Sequence, residues 1–278
     1  TSSLTFMVPS SAAKALAEAG VDPKDLDLII VGTVTPDMRL PSAGCLLQDK
    51  LGAVNAAAFD VVAACSGFIY GLSVASSMIA AGKAKKALVA GVETLSSITD
   101  YEDRTTCVLF GDGCGAVVVE EGEPGEGILS TFLQSDGSEM ELLYMPIGGS
   151  KNPLTCENMD ERGHFVKMKG DGLFKKAVRA MVDAANHTLD EAGLKAEDID
   201  YLIPPQANIR IIEGVRKRLK LEKEQVVVNI DRVGNTSSAS IPIALSELNE
   251  GGTLKKGDLV MMVAFGGGLT WGAALIKR

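Results

Sequence analysis

The chain has 278 residues, 46% of them hydrophobic and 23% charged, which is enough apolar material for one large globular domain or two halves. Its formal net charge of −9 argues against general nucleic-acid binding, and no apolar run is long enough to cross a membrane. The five cysteines form an odd set without CxxC spacing, at positions 45, 65, 107, 114 and 156. This pattern argues against a disulfide framework or a zinc site and predicts a reducing, cytoplasmic setting.

Strand and helix patterns alternate along the first part of the chain. Residues 10–20 form a predicted helix, and residues 27–34 form a near-continuous apolar run that is typical of a buried parallel strand. A second helix is predicted at residues 43–51, and a further buried strand at residues 86–91. Strands that alternate with helices predict a layered α/β protein with parallel-rich sheets.

One cysteine stands at a predicted strand-to-helix junction. Residues 56–59 form a short apolar run, Cys65 follows in a turn, and residues 67–81 are apolar on nearly every face, which predicts a buried helix. The unpaired N–H groups and the positive dipole end at the start of that helix favour a thiolate, so we expect a lowered pKa for Cys65. Two interpretations remain open, a nucleophile and a buried structural cysteine.

The second part of the chain repeats the first. Residues 17–30 align with residues 190–203 at an offset of 173. A further match, of residues 59–60 with residues 230–231 at an offset of 171, places Cys65 opposite Thr236. A repeat of this length indicates two copies of one α/β unit. We expect the copies to pack about a pseudo-two-fold axis, with both strand-to-helix turns facing a shared site.

The repeat divides the chain into three predicted segments. These are an N-terminal half at residues 1–125 with the candidate nucleophile, a connecting or covering segment at residues 126–162, and a C-terminal half at residues 163–278. The C-terminal copy opens with a strand-like segment at residues 165–169, and its counterpart at the same offset falls before Thr1. We therefore expect the first half to lack its opening strand, which would leave a strand edge of a central sheet unpaired.

Five motifs occur in order along nearly the whole chain. They are Ala63-Ala64-Cys65-Ser66-Gly67-Phe68, Phe110-Gly111-Asp112-Gly113, Gln206-Ala207-Asn208-Ile209-Arg210, Gly234-Asn235-Thr236-Ser237 and Phe265-Gly266-Gly267-Gly268-Leu269-Thr270-Trp271-Gly272. Together they resemble the 3-oxoacyl-[acyl-carrier-protein] synthase III family. The resemblance implies a thiolase-like α/β fold, with two pseudo-symmetric halves and central mixed sheets in a layered αβαβα arrangement, and it implies a homodimer.

The same resemblance implies an activity. It is the condensation of acetyl-CoA, or another short acyl-CoA, with malonyl-acyl-carrier protein, which releases CO₂ and starts bacterial type II fatty-acid synthesis. The CoA and carrier-protein thioesters are substrates, and no cofactor is implied. Cys65 fits the nucleophile, the backbone N–H groups of Cys65 and Gly267 fit the oxyanion hole, and Asn235 fits one donor to the enolate.

One position departs from the family pattern. The family has a histidine directly before Gln-Ala-Asn, as the second donor to the enolate, and this chain has Pro205 there. Proline has no side-chain donor, no base and no N–H group. His164, in an irregular segment, and His187, in a predicted helix, are poor substitutes. Because one preorganised donor is worth about 10²–10³ in rate, we predict intact folding and acylation of Cys65 but strongly impaired decarboxylative condensation.

Further site residues are implied by the resemblance. Arg104 falls at a CoA contact, Phe174, Ala207 and Asn208 fall in the substrate-binding channel, Leu40 reaches the partner subunit's acyl pocket, and Arg210, Lys175 and Arg216 fall where carrier protein docks. Residues 205–223 carry six basic and two acidic side chains, net +4 within a chain of net −9. An acidic carrier protein would suit this charge, although a solvated helix face is the alternative.

Two other functions remain open at this stage. The first is an acyltransferase of the same fold, which moves an acyl group from Cys65 to an alcohol or amine without decarboxylation. The second is a non-catalytic dimer partner that binds carrier protein or acyl chains. Acyl transfer without release of CO₂ would indicate the first, and absence of Cys65 acylation would indicate the second.

Overall fold

The computed structural model describes residues 3–278, apart from the side chains of residues 5, 6 and 171. The helices are α1 (Leu4–Ala19), α2 (Ala43–Leu51), α3 (Gly67–Ala80), α4 (Gly170–Ala192), α5 (Ile209–Leu219), α6 (Ile230–Val233) and α7 (Ser240–Glu250). The strands are β1 (Leu28–Gly32), β2 (Ala57–Val61), β3 (Lys86–Thr94), β4 (Asp112–Glu120), β5 (Gly127–Ser135), β6 (Leu143–Tyr144), β7 (Lys167–Met168), β8 (Tyr201–Ile203), β9 (Leu259–Gly266) and β10 (Thr270–Lys277). Short 3₁₀ turns at Ala64–Ser66 and Ser237–Ala239 precede α3 and α7.

The strands form two four-stranded mixed sheets and one small sheet. The first sheet has the order β2-β1-β3-β4, in which β1 runs parallel to β2 and β3, and β4 is antiparallel to β3. The second has the order β5-β10-β9-β8, in which only β8 and β9 are parallel. Every residue of β1 is buried, which explains its continuous apolar sequence, because both faces of a central parallel strand are covered.

Helices lie between the two sheets and outside each of them. Phe68 of α3 and Ile241 of α7 belong to one buried cluster with residues of both sheets, such as Ile30 of β1 and Met262 of β9. α1 and α2 cover the outer face of the first sheet, and α4 and α5 cover the outer face of the second. The layers therefore follow the predicted αβαβα order, with α3 and α7 in the centre.

The internal repeat places Cys65 opposite Ser238, which corrects the predicted partner Thr236. Both 3₁₀ turns open with a residue in the left-handed region, Ala64 at φ +47° and Ser237 at φ +50°. A buried central helix begins three residues after each of them. The offset of 173 found for residues 17–30 therefore also holds at the two turns.

The error of two residues has a local cause. The match of residues 59–60 with residues 230–231 produced the offset of 171, but the former lie in β2 and the latter begin α6. In the second half, the strand position equivalent to β2 is reduced to a single parallel bridge between Leu202 and Val226. The match at offset 171 therefore pairs a strand with a helix, because the second copy has no regular strand at the position of β2.

The predicted opening strand of the second half is also wrong. Within residues 165–169 only β7 is a strand, and it pairs with β6 outside both large sheets. The strand beside β10 is instead β5, which lies within residues 126–162. The corresponding outer edge of β4 has no strand beside it within residues 3–278.

The remaining part of the connector covers one face of the second half. Residue Leu143 of β6 and Met168 of β7 face the pocket described below, and Val166 donates its N–H to the carbonyl of Ile98. The Arg162 guanidinium donates to both carboxylate oxygens of Asp100 and holds the pKa of that carboxyl well below its usual range. Across residues 3–278, no helix combines the length and the apolar character that a membrane span requires.

Candidate active site

Cys65 lies in the 3₁₀ turn between β2 and α3. The left-handed residue Ala64 turns the chain sharply, and α3 begins at Gly67, so Cys65 stands beside a helix N-terminus as predicted. The end of β9 approaches from the second half. A Cβ atom on Gly266 would lie 2.6 Å from the Cys65 amide nitrogen, so this approach requires glycine. The candidate nucleophile therefore lies where the two halves meet.

A pocket of about 130 Å³ opens over Cys65. Besides Cys65, it contains five residues that the sequence singled out: Asn235, Pro205, Phe174, Ala207 and Asn208. Most of the remaining lining is apolar, as at Leu143, Met168 and Phe265. A pocket of this kind withholds water and places a few polar groups around a ligand, which is how small-molecule sites are usually built.

Asn235 is held firmly beside the cysteine. Its backbone exchanges hydrogen bonds with the loop before β4, donating to the Leu109 carbonyl and accepting from Gly111, each at 2.9 Å. Its side-chain Oδ1 accepts from the Ser237 N–H at 2.9 Å, which fixes the amide orientation. Among the residues that the structure describes, no acceptor takes a proton from Nδ2 of Asn235. That amide is therefore available as a neutral donor at the pocket wall.

Two backbone N–H groups near Cys65 are candidates for an oxyanion hole. Neither the Cys65 N–H nor the Gly267 N–H donates to a backbone carbonyl within residues 3–278. The Thr270 hydroxyl donates to the Ala63 carbonyl at 2.9 Å and so ties the start of β10 to the residues before the cysteine. The glycine segment after β9 is therefore anchored beside Cys65, as an oxyanion site requires.

The pKa of Cys65 is raised, whereas the sequence predicted a lowered pKa. Burial raises the pKa of the thiol from 9.0 to about 11, a hydrogen bond from Ser237 lowers it, and the nearby Glu93 carboxyl raises it. A helix N-terminus contributes about 0.3–1 kcal/mol at exposed sites, which is less than one pKa unit. Desolvation of the charged sulfur is the larger effect, so the resting cysteine is a thiol.

Pro205 lies buried in the pocket lining, directly after Ile203 of β8 and Pro204. It stands at the position where the resemblance to the family implies a histidine, and it offers no donor. The two histidines lie elsewhere: His187 on α4 stacks on Phe132 with ring centroids 4.7 Å apart, and His164 packs on the ring of the next residue. Neither histidine lines the pocket.

The remaining predicted site residues lie outside the pocket lining. Arg104, Lys175 and Arg210 are exposed, and Leu40 is 86% exposed. Arg216 differs from the others, because its guanidinium is held by the Glu213 carboxylate and by the carbonyl of Leu221. Arg216 is thus used largely within the protein, whereas the other four side chains are exposed.

One feature of the site was missed from the sequence. Glu93 is fully buried near the end of β3 and accepts hydrogen bonds from Ser237 and from the neighbouring Ser238. The sequence signal for this residue was a carboxyl side chain near the end of an otherwise apolar strand. The alternation of residues along a strand does not by itself show that such a side chain points inward, toward the turn of the second half.

Two pseudo-symmetric α/β halves with a cysteine at their junction define a thiolase-like condensing-enzyme fold. Residues 59–137 match the family model described as 3-oxoacyl-[acyl-carrier-protein (ACP)] synthase III, and residues 189–278 match the model for its C-terminal part. The chain belongs to the 3-oxoacyl-[acyl-carrier-protein] synthase III family.

Individual relatives support the same assignment. The chain is 52% identical, over 95% of its length and 80% of the relative's, to beta-ketoacyl-[acyl-carrier-protein] synthase III of Caldanaerobacter subterraneus subsp. tengcongensis. It is 53% identical, over 95% and 81%, to the protein of that name from Natranaerobius thermophilus. The crystal structure of 3-oxoacyl-[acyl-carrier-protein] synthase III from Aquifex aeolicus matches with a TM-score of 0.92 and 48% identity, covering 100% of this chain and 85% of that one.

Proposed function

We propose that the protein is a condensing enzyme that initiates fatty-acid synthesis. It takes a short acyl group, such as acetyl, from acyl-CoA and joins it to malonyl-acyl-carrier protein with loss of CO₂. The observation that carries the proposal is the apolar pocket in which Cys65 and Asn235 lie together. A sulfur nucleophile, backbone donors and an amide donor are the groups that acyl transfer and enolate attack require.

The first half of the reaction is acylation of Cys65. The sulfur attacks the thioester carbonyl, whose oxygen becomes negatively charged and accepts from the N–H groups of Cys65 and Gly267. The carbonyl then re-forms, CoA leaves as a thiolate, and solvent protonates it. Because the thiol pKa is about 11, the cysteine proton has to leave during the attack rather than before it.

The second half of the reaction depends on Asn235. The malonyl group loses CO₂, its electron pair forms an enolate at the thioester, and the enolate carbon attacks the acyl-cysteine. In this proposal Nδ2 of Asn235 donates to the enolate oxygen, whereas Pro205 donates nothing. One preorganised donor is worth about 10²–10³ in rate, so we infer that acylation proceeds and condensation is slow.

Pro205 also favours a second candidate function. An acyltransferase on the same fold would pass the acyl group from Cys65 to an alcohol or amine and would form no enolate. Such a reaction has no need of the second enolate donor, which is the group that Pro205 removes. Transfer of acetyl from Cys65 to a hydroxyl or amine acceptor, without CO₂, distinguishes this function from condensation.

Substrate delivery is proposed to use the basic surface near the pocket mouth. Asn208 lines the pocket and caps α5 by accepting the N–H of Arg210, so the exposed Arg210 lies two residues from the pocket lining. Lys175 follows the pocket residue Phe174 on α4 and is also exposed. These cations suit an acidic carrier protein, and Arg104 suits a CoA phosphate. Arg216 contributes less, because Glu213 already neutralises it.

The assembly is proposed to be a homodimer in the cytoplasm. β2 is an edge strand of the first sheet, and Val62, directly after it, is 78% exposed. Leu40 lies at the same corner, because Asp60 of β2 accepts the N–H groups of Ala43 and Gly44 at the start of α2. Exposed apolar side chains beside an unpaired strand edge are suited to pairing with a second copy. A monomeric molar mass by light scattering at micromolar concentration would contradict the dimer.

The acylation step tests the core of the proposal. Incubation with acetyl-CoA is expected to add one acetyl group per chain, located on Cys65 by peptide mass spectrometry, with release of one CoA. Cys65→Ala should take up no acetyl group, and Cys156→Ala, which removes an exposed cysteine, should behave as the unchanged protein. Absence of acetylation in the unchanged protein would refute the enzymatic proposal and favour a non-catalytic binding role.

A further inference from the structure

Glu93 is a buried carboxyl without an ionic partner. Its side chain is 0% exposed, and no lysine, arginine or histidine within residues 3–278 forms an ion pair with it. Its charge acts across the junction on the Cys65 thiol, and its hydrogen-bond partners are hydroxyls and one backbone N–H. A buried carboxylate with no cation is costly, and burial accordingly raises the pKa of Glu93.

The first half of the molecule fixes one carboxyl oxygen. Oε2 accepts from the Thr33 hydroxyl at 3.2 Å, the Val34 N–H at 3.1 Å and the Thr35 hydroxyl at 2.7 Å. Each hydroxyl also accepts a backbone N–H, from Thr35 and Thr94 respectively, and donates its own proton to Oε2. Oε2 is therefore surrounded by donors, so a proton on Glu93 belongs on Oε1.

The second half of the molecule supplies the neighbours of Oε1. These are the Ser237 hydroxyl at 3.0 Å and the Ser238 hydroxyl at 3.2 Å. Ser238 has a closer acceptor in the carbonyl of Gly32, at 2.7 Å. The two 3₁₀ turns that carry Cys65 and Ser237 pack against each other, and a hydrogen bond from Ser237 lowers the pKa of the Cys65 thiol. The single hydroxyl proton of Ser237 thus stands between two acceptors, Oε1 of Glu93 and Sγ of Cys65.

We propose that Ser237 and Glu93 form a proton relay that takes the Cys65 proton when the sulfur attacks and returns it when the sulfur leaves. As the Sγ–acyl bond forms, the S–H bond breaks and the proton passes to Oγ of Ser237. The hydroxyl proton of Ser237 passes at the same time to Oε1 of Glu93, so the serine ends unchanged. When the acyl group departs, Cys65 leaves as a thiolate and regains the proton by the reverse path.

The electrostatics of the junction favour this exchange. A negative Glu93 raises the pKa of Cys65, so the two groups oppose each other when both are charged. Moving one proton from sulfur to carboxyl leaves a single negative charge at the junction throughout the attack. The pocket offers no other proton acceptor of this kind, because Cys65 is the one titratable side chain among its described lining residues. Neither Ser237 nor Glu93 is among the described residues that line the pocket.

The test uses Glu93→Gln and Ser237→Ala with iodoacetamide as the probe. A glutamine amide reproduces the hydrogen bonds of a protonated Glu93, with its oxygen toward Thr33 and Thr35 and its NH₂ toward Ser237, so we expect a folded protein. Alkylation of Cys65, followed by peptide mass spectrometry from pH 6 to 9.5, should be about tenfold or more slower in both variants at pH 7. The deficit should shrink as the pH rises, because hydroxide then removes the proton directly.

The opposite sign would overturn the relay. If Glu93 were only a fixed negative charge, its removal would lower the pKa of Cys65 and Glu93→Gln would alkylate faster. Unchanged alkylation in either variant, or a deficit that is constant with pH, would also overturn it. Ser130→Ala is the matched control, because it removes a buried hydroxyl that donates to the exposed Glu191 carboxylate, and neither residue lines the pocket.

This inference rests on the proposed role of Cys65 as the nucleophile, but the probe requires no CoA binding. If acetylation fails but alkylation depends on Glu93, the proposed function is refuted and the relay stands. If acetylation is normal but alkylation does not depend on Glu93, the relay is refuted and the proposed function stands. Circular dichroism and thermal unfolding of each variant show whether the fold is intact, and rescue of alkylation in Glu93→Asp would support a carboxyl requirement.

Discussion

Restoring a side-chain donor at position 205 should restore condensation. In Pro205→His, the imidazole would extend into the pocket wall that also contains Asn235. The backbone there is held independently of residue 205, because the Gln206 amide donates to the carbonyls of Pro204 and Val227 at 3.0 and 3.1 Å. We therefore expect Pro205→His to fold, with a loss of about 0.4–1 kcal/mol from the greater entropy of its unfolded chain.

The expected gain follows from the number of donors to the enolate. In the proposed mechanism Asn235 supplies one, and a histidine would supply the second. A preorganised donor of this kind contributes about 10²–10³ in rate, or about 2.7–4 kcal/mol of transition-state stabilisation. The assay is release of CO₂ and formation of the 3-oxo product from malonyl-acyl-carrier protein, after the protein has been acetylated on Cys65.

Two control variants isolate the donor. Pro205→Ala removes the proline ring without adding a donor, so it should leave the rate of CO₂ release near that of the unchanged protein. Adding Asn235→Asp to Pro205→His keeps an oxygen that accepts the Ser237 N–H but removes the Nδ2 donor, and should cancel most of the gain. Equal rates of CO₂ release from Pro205→Ala and Pro205→His would refute the reasoning.

Two further predictions concern packing and docking. A Cβ atom on Gly91 would lie 2.1 Å from the carbonyl oxygen of Ser238, so Gly91→Ala should destabilise the protein by about 1–3 kcal/mol or more in thermal or urea unfolding. The control Gly122→Ala, where the added Cβ would have no atom within 4 Å, should be close to neutral, and equal stabilities of the two variants would contradict the close approach of the two halves. Arg210→Glu should raise the KM for the carrier-protein thioester and weaken the dependence of that KM on salt concentration. Lys151→Glu, at another exposed position, should do neither, and an unchanged KM in Arg210→Glu would exclude this docking surface.

The layered fold was predictable because its core strands and helices have unambiguous sequences. β1 is apolar throughout, and α3 is apolar on nearly every face, which places them in a buried sheet and a central layer. β5 was not predictable in the same way. Its side chains are mostly half-buried, and it joins the second sheet only through antiparallel pairing with β10, a long-range contact that local pattern does not encode.

The candidate site was predictable as a set of residues but not as an electrostatic environment. The motifs identified Cys65, Asn235 and Pro205, and the structure brings all three to one pocket. The pKa of Cys65 was predicted in the wrong direction, because the helix N-terminus is visible in the sequence whereas burial by the opposite half is not. Glu93 was missed for the same reason, since its partner Ser237 is 144 residues away along the chain.

The most direct test is a two-stage incubation of the unchanged protein, first with acetyl-CoA and then with malonyl-acyl-carrier protein. Intact-mass spectrometry reports acetylation of Cys65, and trapped CO₂ reports condensation. The account predicts one acetyl group per chain in the first stage and slow release of CO₂ in the second, accelerated in Pro205→His. Rapid formation of CO₂ and 3-oxo product by the unchanged protein would contradict the role assigned to Pro205, and absence of acetylation would contradict the role of Cys65.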